Sequence, residues 1–233
     1  MSAPDLSARF YDEWAALARR QGVDPLDLAR VSFAETGMYR RHPRNPRAGV
    51  WPFIESTLRR QGWQGSGVDF TALDPVDQIL PWLEDYLRPY AGLLRDEGMV
   101  YVAMFLPAHL RRASQSSDDY VLTRAGEPSR FYEQNTILDR DGDGAIDVGD
   151  LRRHIAIMTG MGGARWQTIE GELRARGAGG SPVTRVASAA RRGLTPLLLA
   201  AAAAGAWYLY YTTDGRRLRQ RAERRADRLL ASL

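Results

Sequence analysis

The chain has 233 residues, 44% hydrophobic and 26% charged, which excludes a wholly disordered polypeptide and allows one domain with a core plus an appendage. With no cysteine and only three histidines (His42, His109, His154), disulfide scaffolds, thiolate metal sites and cysteine nucleophiles are excluded, and a histidine-rich zinc site is disfavoured. All 32 basic residues are arginine, and 25 of them balance 25 acids up to residue 192, so the net charge of +4 resides in residues 193–233 and the body lacks the basic excess of a nucleic-acid binder.

The start, MSAPDLSARFYDEW, is polar and acidic, without the apolar stretch of an export signal. Leu6, Phe10, Trp14 and Leu17 recur at three- and four-residue spacing and predict an amphipathic helix over 5–21. Asp24-Pro25 opens a second helix, with Asp as N-cap and Pro at the first helical position; it runs through Leu28, Val31 and Ala34 to Gly37. Residues 38–50 read as a loop, and Phe53 to Gln61 as a helix broken by Gly62 to Gly67. Asp74-Pro75 repeats the helix start and predicts 75–90, with Ile79, Trp82, Leu83, Tyr86 and Leu87 on one face. Further helices are expected over 99–110, 129–138 and 148–159, and polar turns over 113–130. Strand signals are nearly absent. The expectation is a mostly α domain over 1–173 followed by a flexible linker, 174–192.

Residues 193–213, GLTPLLLAAAAAGAWYLYYTT, carry no charge. A helix of that length spans about 30 Å, the thickness of a hydrocarbon core. Arg191-Arg192 and Arg216-Arg217 flank it, and Trp207, Tyr208, Tyr210 and Tyr211 cluster near one end as an interfacial belt does. A single-pass transmembrane helix is expected, with lipid as a partner; a buried alanine-rich helix is the other reading. The tail, 214–233, is basic and amphipathic and suits an anionic lipid surface. Five arginines precede the span within about 20 residues and seven follow it, which places the C-terminus inside and the domain outside.

Two constellations carry chemistry. Residues 139–150, DRDGDGAIDVGD, fit the twelve-residue calcium loop. Asp139, Asp141, Asp143, Asp147 and Asp150 supply oxygens at positions 1, 3, 5, 9 and 12, the backbone of Ala145 serves at 7, and Gly144 makes the turn at 6. Position 12 is Asp where Glu is usual, so the shorter Asp150 grips less readily and magnesium is a second candidate. A single loop suggests a structural clip. The other constellation is Glu35, in Ser32-Phe33-Ala34-Glu35-Thr36-Gly37, at the end of a helix. The negative end of a helix dipole and apolar neighbours both favour the protonated acid that donates to a glycosidic oxygen. Glu55 is the second carboxylate a hydrolytic variant would use, with a helix-surface position as its favoured reading.

The order of motifs resembles the lysozyme-like lytic transglycosylase family. Glu35-Thr36-Gly37 looks like its catalytic Glu-Ser-Gly, and Ala48-Gly49-Val50-Trp51-Pro52-Phe53-Ile54-Glu55-Ser56-Thr57 its Ala-Gly-Leu-x-Gln-Phe-x-Pro-Ser-Thr segment. Leu73 to Ile79 with Trp82 and Tyr86 resembles the helix that follows, and Tyr132-Glu-Gln-Asn135 before an acidic loop is similar to phage-type members. Pro52 stands at the family's Gln, and Tyr101-Val-Ala-Met replaces its Tyr-Asn-Ala-Gly. The resemblance implies a lysozyme-like fold and cleavage of the β-1,4 bond between N-acetylmuramic acid and N-acetylglucosamine. Glu35 would be acid and base, with Phe53, Tyr132 and Asn135 lining the glycan groove. Peptidoglycan is the implied partner, together with other virion or envelope proteins. The implied location is a virion membrane or bacterial envelope, with the domain facing the wall during phage infection. The same features also fit a non-catalytic, calcium-clipped membrane scaffold.

Overall fold

The computed structural model describes residues 6–179, which are mostly helical. Helix α1 (Ala8–Arg20) starts on Ser7, whose side chain accepts the Phe10 N–H, and it buries Phe10, Trp14 and Leu17 as its spacing predicts. Helix α2 (Pro25–Thr36) has the expected ends: Asp24 accepts the Leu26 N–H at 2.8 Å, and Gly37 closes it in the left-handed conformation at φ 66°. Leu26, Leu28 and Val31 are wholly enclosed, because α1, α7 (Glu97–Phe105), α10 (Val148–Met161) and α11 (Gly163–Ala175) all pack on α2. Four helices thus pack on the one that carries Glu35 on its last turn.

Prolines divide two helices expected as single runs. Residues 75–90 form α5 (Pro75–Ile79), α6 (Trp82–Leu87) and a 3₁₀ turn at 88–90. Pro81 has no N–H for a continuing helix, and Leu80 before it is extended at φ −111°, ψ 120°. Residues 99–110 likewise divide: α7 ends at Phe105, Pro107 opens a 3₁₀ turn, and α8 (Leu110–Ala113) follows. Around Phe53 the regular helix α3 covers only Glu55–Arg60. The expected break is found through Ser66, and a helix the sequence reading did not anticipate, α4 (Gly67–Ala72), follows it, started by a reciprocal capping box between Ser66 and Asp69.

The near absence of strand is corrected at one place. β1 (Val121–Arg124) pairs antiparallel with β2 (Ala145–Asp147), joining Thr123 to Ile146 and Arg124 to Ala145. Four and three residues are too few to show alternation, and the pairing depends on a partner distant in sequence. β2 is positions 7–9 of the acidic loop, so the β1 pairing ties that loop to residues 121–124.

The helical body also runs past 173. Helix α11 continues to Ala175, Arg176 pairs with Asp12 of α1 at 2.6 Å, Ala178 is buried, and the Gly179 N–H donates to Asp24 at 2.9 Å. Residues 174–179 of the expected linker are therefore docked on α1 and on the cap of α2. Among the described residues no helix is long and apolar enough to cross a membrane. The expected span at 193–213 and the tail at 214–233 lie outside them.

Candidate active site and metal loop

Glu35 lies on the last turn of α2, between Ser32 and Thr36. Both hydroxyls donate to the Val50 carbonyl, Thr36 at 3.4 Å, and this ties segment 48–53 against the end of the helix. Gln78 of α5 completes the tie. Its Oε1 accepts the Val50 N–H at 3.1 Å and its Nε2 donates to the Arg40 carbonyl at 2.9 Å. Gly49 is required there, since a Cβ would collide with the Gln78 amide. The Ala-Gly-Val segment and the Asp-Pro-x-Asp-Gln segment, far apart in sequence, thus meet beside Glu35.

The Tyr101 hydroxyl, from α7, donates to Glu35 Oε1. Burial pushes the Glu35 carboxyl above its ordinary range, and this bond offsets part of that rise by favouring the charged form. Glu35 is thickly surrounded by protein yet keeps some exposure to solvent. Its affinity for a proton is thus raised by burial while part of its surface stays within reach of a ligand. Behind Tyr101 stands His154 of α10, their rings edge-to-face at 6.0 Å. Burial, and then the Arg140 charge, lower the imidazole pKa to about 3, so His154 is neutral and accepts from the Arg140 guanidinium. Glu55 is paired with Arg59 at 3.2 Å on α3, the arrangement of a helix-surface residue.

The expected groove residues divide. Phe53 stands edge-on to Phe70 at 5.7 Å and to Tyr86 at 5.8 Å. The Tyr86 hydroxyl donates to the Ala103 carbonyl at 3.0 Å, which links Phe53 to α7 two residues beyond Tyr101. Tyr132 and Asn135 are engaged on the other side. The Tyr132 hydroxyl donates to Asp139 Oδ2 at 2.6 Å, and Asn135 donates to the Phe131 carbonyl at 2.8 Å, holding its own short helix α9 (Phe131–Gln134). The Asp139 bond pushes the Tyr132 phenol up to about 12 and lowers the Asp139 carboxyl. Phe131, the other ring of this segment, stands edge-on to Phe105 at 6.2 Å, and Phe105 lies 6.4 Å from Tyr101. Sequence reading passed over Tyr101, Phe131 and His154. The available signal for Tyr101 was its place at the head of the segment that stands for Tyr-Asn-Ala-Gly.

In the acidic loop, one carboxylate oxygen each from Asp139, Asp141 and Asp143 lies within 4.8 Å of the others. Asp139 also accepts the Gly142 and Gly144 N–H groups at 2.7 and 3.1 Å, with both glycines at positive φ (75° and 85°). Ile146 is fully buried, as expected at position 8. Asp150 is buried in a reciprocal capping box with Asp147 that starts α10. Arg153 reaches Asp141 at 2.7 Å and Asp150 at 2.8 Å, a cation of the chain's own among the loop acids. Of the expected loop ligands the structure brings together Asp139, Asp141 and Asp143, whose oxygens are the donor class of hard cations, while Asp147 and Asp150 cap α10 outside that cluster.

No protein-family model, curated protein or solved structure matches this chain.

Proposed function

We propose that this chain is a membrane-anchored, phage-type lytic transglycosylase that cleaves the β-1,4 bond between N-acetylmuramic acid and N-acetylglucosamine in peptidoglycan. The observation that supports this most is Glu35, a desolvated carboxyl with raised proton affinity, one oxygen fixed by Tyr101, and some surface open to solvent. Glu35 protonates the glycosidic oxygen as its bond to muramoyl C1 breaks. The same carboxylate then takes the proton of the muramoyl C6 hydroxyl, and O6 bonds to C1, so the product is a 1,6-anhydro ring and no water is consumed. Residues 139–150 bind calcium as a structural clip, through Asp139, Asp141, Asp143, the Ala145 carbonyl, Asp147 and Asp150. The ion's contribution is to neutralise repulsion among these acids and to fix the start of α10.

Digestion of purified peptidoglycan tests the proposal. Glu35→Gln keeps the shape and removes the proton, so the rate should fall 10²–10⁴-fold, the usual worth of a general acid. Undiminished cleavage by the variant would overturn the assignment of Glu35. Products lighter by one water than hydrolysis products mark the transglycosylase route, and their absence marks a hydrolytic muramidase.

A further inference from the structure

Helix α9 is built in reverse of an ordinary surface helix. Its polar side chains are the anchors. Glu133 accepts the Gly126 N–H at 2.8 Å beyond β1, and Tyr132 donates to Asp139 in the acidic loop. Asn135, directly after it, closes the turn onto the Phe131 carbonyl. The apolar residue is the one left out: Phe131 is 39% exposed, one of three large exposed hydrophobics among the described residues, with Ile54 and Met161. Arg130 before it holds the left-handed conformation at φ 54°, which costs a non-glycine residue about 1–2 kcal/mol. Four residues thus receive anchors at both flanks and a strained backbone lead-in, and the outcome is an aromatic ring facing water.

That ring is linked to Glu35 by two ring contacts and one hydrogen bond through buried Tyr101. Phe131 contacts Phe105, Phe105 contacts Tyr101, and Tyr101 holds Glu35. We propose that Phe131 is a stacking platform for a pyranose ring of the glycan strand that Glu35 cleaves. The assignment rests on the glycan-cleaving reading above. The C–H face of an N-acetylhexosamine is apolar and flat, and stacking covers the exposed ring while leaving the sugar hydroxyls in water. The perpendicular contact with Phe105 fixes the ring's tilt without enclosing it, and the Tyr132–Asp139 bond ties the platform to the acidic loop.

The test uses the full chain in detergent. In a Glu35→Gln background, binding of a GlcNAc–MurNAc oligosaccharide is measured by calorimetry for Phe131, Phe131→Ala and Phe131→Trp. With Glu35 intact, kcat and KM are measured on soluble glycan strands. Phe131→Ala should weaken binding roughly tenfold, as loss of one stacked ring does. It should raise KM with little change in kcat and leave Tm unchanged, while Phe131→Trp retains parental affinity. Equal binding by Phe131→Ala and its parent overturns the platform but not the Glu35 proposal. Equal loss with Trp and Ala also overturns it, because any flat ring should serve. A folded parent that binds no glycan overturns both.

Discussion

At Glu35 two influences oppose each other: burial favours the neutral acid, and the Tyr101 hydroxyl favours the anion. Removing the hydroxyl therefore has a definite sign. In Tyr101→Phe the carboxyl should titrate higher still, and the alkaline limb of kcat/KM against pH should move upward, because the acid stays protonated longer. An unmoved limb would show that Tyr101 does not govern this proton. A second carboxyl under burial lies at the far end of α2. Asp27 is pushed up to about 8 by desolvation first, then by the charge and hydrogen bond of Glu97, with Arg30 opposing at 2.7 Å. Its folded pKa exceeds its ordinary value of 3.8, so the fold binds this proton more tightly than the unfolded chain does. Stability from Asp27 is complete below about pH 4 and is lost as pH rises through about 8. Asp27→Asn removes the proton requirement and should flatten the decline of Tm over that window. A decline of unchanged slope would place its cause elsewhere.

Among the elements, the acidic loop makes the sharpest demands. Calcium binding only the folded state should raise Tm, by an increment that Asp139→Ala abolishes. Indifference of Tm to both calcium and chelator would overturn the clip. Arg153 adds a refinement, since it already holds Asp141 and Asp150 and must yield them to an ion. Arg153→Ala should lower Tm without calcium and enlarge the calcium increment, with Kd falling several-fold in titration calorimetry. Weaker binding in that variant would mean that Arg153 supports the loop instead of competing for it. The helix ends written in local chemistry are found where the sequence puts them: Asp24-Pro25, Asp74-Pro75 and Gly37. The helices that divide do so at Pro81 and Pro107, which were legible breaks inside strong apolar runs. Helix α11 begins after Gly162, where a Cβ would lie 2.5 Å from the Phe33 ring, so that corner is set by packing onto α2.

At the scale of the whole molecule the proposal makes a prediction about location. The full chain should remain with membranes after alkaline carbonate washing, whereas a chain ending at residue 179 should not. Purified phage particles should contain the protein by mass spectrometry. Its confinement to the host inner membrane would favour a remodelling or lysis role.

The sequence by itself determined the helical class, the caps of α2 and α5, the buried stripe of α1 and the spacing of the loop acids. Each of these depends on residues within one or two turns of one another. Glu35 was legible as an acid at a helix end. Its partner Tyr101 was not, because 66 residues separate them and only the packing of α7 on α2 brings them together. The β1–β2 pairing and the docking of residues 174–179 were hidden for the same reason. Tyr132 and Asn135 show the other side of that limit. The resemblance offered both as groove residues, and the packing adds partners no sequence reading names: Asp139 for Tyr132, the Phe131 carbonyl for Asn135, and Phe105 for the Phe131 ring. Four residues carry too short a periodicity to say which side of a helix faces the protein; the anchors at its two flanks decide it.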